Sequence, residues 1–94
     1  MIREAEIESY FVAQVRVSGG EPFKFTSPGR RHVPDRMILW PGGRVRFVEL
    51  KAPGRKPSLG QRREHQRFAA KGSPVQIIDS KAGVDAWIDE VCGP

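Results

Sequence analysis

Two carboxylates and a lysine are spaced in this sequence so that a hairpin would bring them together. Glu49 and Lys51 lie two positions apart at the end of a strand-like segment, so their side chains point to the same face. Asp35 begins the preceding segment, and Pro41-Gly42-Gly43 between the two segments predicts a tight turn. Antiparallel pairing across that turn places the start of one strand beside the end of the other. The pattern therefore predicts that Asp35, Glu49 and Lys51 converge at one sheet edge.

Such a group supports metal-assisted hydrolysis of a phosphodiester. Carboxylates hold Mg²⁺, a hard ion that prefers oxygen ligands and keeps several waters. The metal polarises the phosphate and acidifies a water, while Lys51 can orient that water or offset charge in the transition state. The alternative is a solvated ion pair, because a Glu-x-Lys on a strand is common and such pairs are worth little. Val48 and Leu50 flank Glu49 in a core-forming pattern, where an unpaired charge is costly, and this favours the catalytic interpretation.

The elements that position these residues follow from hydrophobic spacing and turn residues. We predict a single α/β domain over residues 1–94, with the order αβββαβα and a mixed sheet flanked by helices. Helices are predicted over about 3–17, where Ile7, Phe11 and Val15 recur; over 58–71, with Ser58 as N-cap; and after the cap Ser80. Strands are predicted over 23–27, 35–40, 44–51 and 75–79. Glu21-Pro22 is interpreted as a turn, and the apolar last strand is expected near the sheet centre.

The charge of the chain favours a polyanionic partner. Sixteen Lys and Arg against eleven Asp and Glu give a net charge of +5, and nucleic acid is the commonest such partner. Two basic loops rich in Pro and Gly, over 27–34 and 52–57, border the carboxylate group. Contacts of this kind hold a phosphate backbone without reading its sequence, although a solvated surface explains any one of them. The residues expected to contact DNA are Lys24, Ser27, Arg30, Arg31, Arg36, Arg55 and Lys56.

Several other classes of protein are disfavoured. The apolar runs are too short to span a membrane, and the first residues lack the apolar core of a secretory signal. The single cysteine, Cys92, excludes an internal disulfide and a multi-cysteine zinc site. Only His32 and His65 could assist it, so a structural zinc is not expected. We expect a cytoplasmic protein.

In combination, these motifs resemble a known nuclease family. Pro34-Asp35 followed by Glu49-Leu50-Lys51 matches the PD-(D/E)xK signature. The wider pattern covers nearly the whole chain and resembles the virus-type replication-repair nuclease domain, VRR-NUC, through residues 25–31, 33–36, 41–44 and 47–53. The resemblance implies a restriction-endonuclease-like core, a divalent metal and cleavage of DNA. It also implies a small, often phage-borne homodimer similar to Holliday junction resolvases, acting in a bacterial or phage-infected host cell.

The resemblance also assigns roles to individual residues. It makes Asp35 and Glu49 metal ligands, adds the carbonyl of Leu50 as a third, and makes Lys51 the catalytic lysine. It further implies a first-helix glutamate that completes the metal site. Here Glu4 fits the family spacing to Ile7, while Glu8 fits a resolvase-like distance to Gly19, so both remain candidates.

Two further positions are singled out by the resemblance. Gln61 matches a family glutamine at the start of the helix after the Glu-x-Lys strand, and the alternative is a solvated first-turn residue. His32 stands where close relatives often have glycine. Trp40 and Trp87 are expected in the core rather than stacked on bases.

Three function classes follow. The favoured one is a structure-specific DNA endonuclease that uses Mg²⁺ or Mn²⁺ and acts in DNA repair, as a homodimer, on branched DNA such as a four-way junction or a flap. The second is a non-catalytic module that binds nucleic acid through the same basic loops. The third is a protein-interaction domain, which leaves the placement of the basic loops unexplained.

Overall fold

The elements occur in the predicted order αβββαβα. In a computed structural model, which describes residues 1–93, three helices flank one four-stranded sheet. The elements are α1 (Glu4–Val17), β1 (Glu21–Lys24), β2 (Arg36–Trp40), β3 (Arg44–Leu50), α2 (Leu59–Ala70), β4 (Val75–Ile78) and α3 (Lys81–Cys92). The strand order is β1-β2-β3-β4. The first two pairs are antiparallel, and β3 and β4 are parallel, so the predicted mixed α/β sheet is confirmed.

The hydrophobic core lies between one face of the sheet and the helices α1 and α3. Ile7, Phe11 and Val15 of α1 are fully buried, as their four-residue spacing predicted. The predicted core positions of Trp40 and Trp87 are confirmed, and their ring centroids lie 5.9 Å apart. Between α1 and β1 the backbone passes so close to Trp40 that only glycine fits at position 20: a Cβ there would lie 2.8 Å from that ring.

The opposite face of the sheet carries α2, whose buried residues are polar. Glu64 and His65 are its two buried residues among those described, and Phe68 packs edge-on against Phe47 of β3 with a centroid distance of 5.0 Å. Alternate residues of a strand point to opposite faces. Val48 and Leu50 therefore enter the core, whereas Phe47 and Glu49 face α2.

Two predictions about strands were wrong. Strand β1 covers Glu21–Lys24 and not 23–27, because Gly19, with φ at +95°, completes the turn earlier and Pro22 pairs opposite Ile38. Proline is tolerated there because β1 is an edge strand. Strand β4 is also at an edge, where Gln76 and Ile77 are exposed and Ile78 enters the core. Within residues 1–93, no helix is both long and apolar enough to cross a membrane.

Candidate active site

The hairpin of β2 and β3 brings Asp35 and Glu49 together, as the sequence predicted. Arg36 pairs opposite Val48, so the residue before β2 lies beside the end of β3. The turn between them places Gly42 and Gly43 at φ values of +87° and +79°. Asp35 Oδ2 accepts a hydrogen bond of 2.9 Å from the backbone N–H of Leu50. This bond fixes the aspartate against the backbone that separates Glu49 from Lys51.

Glu49 is buried at the centre of the site, with 1% of its surface exposed. Its Oε2 accepts a hydrogen bond of 2.9 Å from Gln61 Nε2 and lies 3.5 Å from Lys51 Nζ. Burial, and then the nearby charge of Asp35, raise the pKa of Glu49 to about 7, while Lys51 opposes the shift. A carboxyl whose pKa lies near neutrality, in contact with a lysine, is typical of a functional site.

Gln61 connects this site to the start of α2. Its Nε2 donates to Glu49, while its Oε1 accepts a hydrogen bond of 2.9 Å from the backbone N–H of Ser58. In return, Ser58 Oγ accepts from the backbone N–H of Gln61 at 3.1 Å, which completes a capping box. Gln61 is therefore half-buried and bonded to Glu49, while its role in catalysis stays a prediction.

His65 belongs to the same group, although reasoning from the sequence missed it. Its Nε2 lies 3.6 Å from Glu49 Oε1, and neither atom has a hydrogen-bond partner although both are buried. Burial, and then the charge of Lys51, lower the pKa of His65. Gln61 and His65 are four positions apart and thus share a helix face. That spacing could have identified the histidine once Gln61 had been assigned.

The glutamates of α1 do not contact the cluster around Glu49. Glu8 forms an ion pair with Arg36, at 3.2 Å, and Arg36 also donates a hydrogen bond of 2.9 Å to the carbonyl of Pro22. Glu4 is exposed at the start of α1. Among residues 1–93, no group of three or more His, Cys, Asp or Glu residues is placed to hold a metal ion. Arg36 itself is occupied by these contacts, and its side chain is only 14% exposed.

The basic loops lie at the surface around the site. Arg30 Nε donates to Glu64 Oε2 at 2.8 Å, so this arginine is fastened to α2, and Ser27 is half-buried at the start of its loop. The remaining side chains predicted to contact DNA are exposed: Lys24, Arg31, Arg55 and Lys56.

His32 occupies a backbone conformation that favours glycine. Its φ is +66°, in the left-handed region, and its ring covers Gly60, where a Cβ would lie 2.5 Å from the imidazole Nε2. The resemblance to VRR-NUC domains implies glycine at this position in close relatives. The positive φ gives the physical reason.

Although only two carboxylates of the described residues meet at the site, its oxygen donors fit a divalent ion such as Mg²⁺, which is usually held by one or two carboxylates and keeps several waters. Glu49 Oε1 is buried and has no hydrogen-bond partner, and a cation would satisfy it. Asp35 supplies a second carboxylate, held by Leu50 N–H, and the carbonyl of Leu50 belongs to the same stretch of backbone. Oxygen donors of this kind suit Mg²⁺ or Mn²⁺ rather than softer metals.

Comparison with known proteins places the chain among nucleases. No protein-family model matches it. It is 52% identical over 81 residues to the "Putative nuclease p44" of Acyrthosiphon pisum secondary endosymbiont phage 1, an alignment that covers 86% of this chain and 87% of that protein. The solved structure of a protein described as "VRR_NUC domain" matches with a TM-score of 0.86 and 32% identity, and the match covers 95% of this chain and 97% of that one.

Proposed function

Since the chain belongs to the VRR-NUC nucleases and has a phage relative, we propose that it is a metal-dependent endonuclease that hydrolyses phosphodiester bonds in branched DNA. The observation that carries this proposal is the buried Glu49, which lies between Lys51, Gln61 and His65 with one oxygen unpaired. A buried carboxylate with an unused acceptor is costly unless a ligand completes it. The proposed ligand is Mg²⁺ or Mn²⁺.

Each residue of the site has a distinct role in this proposal. Asp35 and Glu49 hold the ion, with the carbonyl of Leu50 as a further ligand. When bound, a divalent ion polarises the phosphate and lowers the pKa of water at the site. Lys51, whose side chain is 16% exposed and lies 3.5 Å from Glu49, reaches the reacting phosphate and offsets its developing charge. Gln61 holds Glu49 in one orientation through its 2.9 Å hydrogen bond.

A first-helix glutamate stays part of the proposal as an additional ligand. Glu4 is exposed and free of hydrogen bonds or ion pairs to the side chains of residues 1–93, whereas Glu8 would have to leave the 3.2 Å ion pair with Arg36. This difference favours Glu4 over Glu8.

The exposed basic side chains supply the proposed contacts to DNA. Lys24, Arg31, Arg55 and Lys56 carry positive charge on a chain whose net charge is +5. Phosphate contacts of this kind release counterions and bind without sequence preference. The relative is a phage protein, so we place the activity in the cytoplasm of a bacterial host, in the repair or resolution of phage or host DNA.

A two-fold homodimer is the assembly that suits a four-way junction. One chain provides one site, and resolving a junction needs two cuts related by symmetry, which an isologous dimer presents. Light scattering should therefore give about twice the mass of 10.5 kDa. Paired cuts in opposite strands of a junction with separately labelled arms would support the resolvase-like role. A monomer that nicks only flaps would contradict that role and leave the nuclease function intact.

One experiment separates the three function classes. Purified protein is incubated with a four-way junction, a flap and linear duplex, each with Mg²⁺, with Mn²⁺ and with EDTA. Metal-dependent cleavage of branched DNA is the expected result. A gel shift without cleavage in any metal would support the binding module instead, and the absence of both would support a protein-interaction domain.

A further inference from the structure

A cavity of about 510 Å³ opens on the α2 side of the sheet, next to the proposed active site. Two aromatic rings, Phe47 of β3 and Phe68 of α2, line it, and three cationic side chains surround them: Arg30, Arg67 and Lys71. The cavity thus combines an apolar aromatic surface with a basic border. The proposed catalytic mechanism uses none of these residues, although the sequence predicted Arg30 as a contact to phosphate.

The aromatic part is held rigid by ring–ring contacts. Phe47 and Phe68 meet edge to face with centroids 5.0 Å apart, and Phe25 supports both, at 5.4 Å from Phe47 and 6.3 Å from Phe68. All three side chains are only partly buried. Aromatic pairs with this geometry are stable, and their exposed surface can accept a further flat ring.

One buried carboxylate, that of Glu64, holds two of the cationic side chains of the basic border in place. Glu64, 6% exposed, binds Arg30 at 2.8 Å and lies 3.8 Å from Arg67. Three cations, with Lys71, therefore face one anion around the cavity. A second copy of this chain, with its own charge of +5, would meet repulsion here. A nucleotide has the complementary character, because it joins a flat apolar ring to a phosphate.

The cavity lies close to the proposed site of cleavage. Phe47 and Glu49 are two residues apart on the same face of β3, which is about 7 Å along a strand. On α2, Glu64 directly precedes His65, which faces Glu49. With a rise of about 3.4 Å per nucleotide along a DNA strand, the cavity lies one to a few nucleotides from a phosphate at the site.

We propose that this cavity binds an unpaired nucleotide of the DNA substrate, with its base against Phe47 and Phe68 and its phosphate at Arg30 and Arg67. The inference rests on the proposed nuclease function and adds the feature of DNA that the enzyme selects. Stacking on an aromatic ring is tolerant of sequence because every base has a π face. A base inside a duplex must first be unstacked, at a cost of free energy, so DNA with a base already unpaired binds better.

The test measures binding in EDTA, so that cleavage plays no part. Fluorescence anisotropy compares a linear duplex with the same duplex carrying one unpaired 2-aminopurine. We expect the wild-type protein to bind the second DNA about tenfold more tightly, within the range for stacking one base, and to change the fluorescence of the 2-aminopurine. Equal affinities, or unchanged fluorescence, would overturn the proposal.

Matched variants locate the effect. Phe68→Leu keeps apolar volume and should lose most of the preference for the unpaired base. Phe23→Leu is the control and should keep the preference. Phe23 pairs with Met37, which pairs with Phe47, so it lies on the same face of the sheet, but it does not line the cavity. If both variants lost this preference equally, the assignment of the cavity to a nucleotide would be overturned. It would also be overturned if light scattering showed that Phe68→Leu is a monomer while the wild-type protein is a dimer.

The basic border is tested by a second pair. Arg67 is 67% exposed, so Arg67→Ala should fold normally and weaken binding of both DNAs. Arg62→Ala, on the same helix but outside the cavity, is its control. We expect a larger loss for Arg67→Ala, and equal losses would overturn the role of the border. The nuclease proposal fails separately, through absence of metal-dependent cleavage, which leaves these binding measurements interpretable.

Discussion

Gln61 hydrogen-bonds Glu49 through its amide nitrogen and caps its own helix through its amide oxygen, each at 2.9 Å. The start of α2 and the orientation of the buried carboxylate therefore depend on a single side chain. The capping contribution can be separated from the contribution to the site, because Ser58 takes part only in the cap.

Gln61→Ala should reduce cleavage about tenfold or more, because Glu49 loses the donor that fixes its Oε2. Both Gln61→Ala and Ser58→Ala should lower the free energy of unfolding by about 1 kcal/mol through the lost cap. Only Gln61→Ala should change kcat at saturating metal. Single-turnover cleavage and urea denaturation measure the two effects. A similar loss of kcat in Ser58→Ala would mean that the cap alone accounts for the role of Gln61.

Lys51→Ala should reduce cleavage by about 10² to 10³, the usual effect of removing one group that stabilises the transition state. DNA affinity in EDTA should be nearly unchanged, since phosphate contacts elsewhere supply most of the binding. Lys81→Ala is the control, because Lys81 lies over the ring of Tyr10, away from the site. Loss of affinity equal to the loss of rate would assign Lys51 to DNA binding instead.

Asp35→Asn should abolish metal-dependent cleavage while leaving the fold intact. The amide oxygen of asparagine can still accept the hydrogen bond from Leu50 N–H, but it lacks the charge that holds a cation. Calorimetric titration with Mn²⁺ should show weaker binding in this variant than in the wild-type protein. Cleavage at the wild-type rate would exclude Asp35 from the metal site.

The raised pKa of Glu49 predicts how stability depends on pH in the absence of metal. The carboxyl titrates near 4.5 in the unfolded chain and at about 7 in the folded one. As pH rises between these values the unfolded state loses its proton first, so the free energy of unfolding falls through this window and levels off above it. Glu49→Gln removes this contribution.

The measurement is urea denaturation of both proteins in EDTA at several values across that window. The stability of the wild-type protein should decrease relative to Glu49→Gln as pH rises. The pKa of His65 is lowered, so its titration makes the free energy of unfolding rise with pH below its ordinary value of 6.5. Because His65 is present in both proteins, this contribution largely cancels in the difference between them. A difference that stays constant with pH would contradict the shift.

Substitution of Arg30 and of Arg31 should have different effects on stability, although the two residues are neighbours in one basic loop. Arg31→Ala should reduce the slope of log affinity against log salt by about 0.9, the value for one phosphate contact, without a loss of stability. Arg30→Ala should also destabilise the fold, because it removes the 2.8 Å partner of the buried Glu64. Titrations at several salt concentrations and thermal denaturation test both. A changed sequence preference with an unchanged slope would mean that these arginines read bases.

The sequence by itself determined the hairpin that forms the site. The two-residue period of a strand and the glycines of a turn are local properties, so the placement of Asp35 beside Glu49 could be derived from spacing alone. The same holds for the core face of α1 and for the cap at Ser80, whose Oγ accepts from Gly83 N–H at 2.9 Å. In each case the pattern that predicted the feature is a local property of the chain.

Only the tertiary structure decided which side chains complete the site. The packed face of α2 consists of three polar residues and one aromatic residue: Gln61, Glu64, His65 and Phe68. In the sequence the three polar residues are indistinguishable from a solvated surface, and only the fold places Glu49 and Arg30 against them. The ion pair of Glu8 with Arg36, and the edge position of β4, likewise depend on elements distant in sequence. Periodicity indicates which residues share a face of a helix or a strand. It does not indicate what that face will meet, because a buried charge is allowed only where the fold supplies its partner.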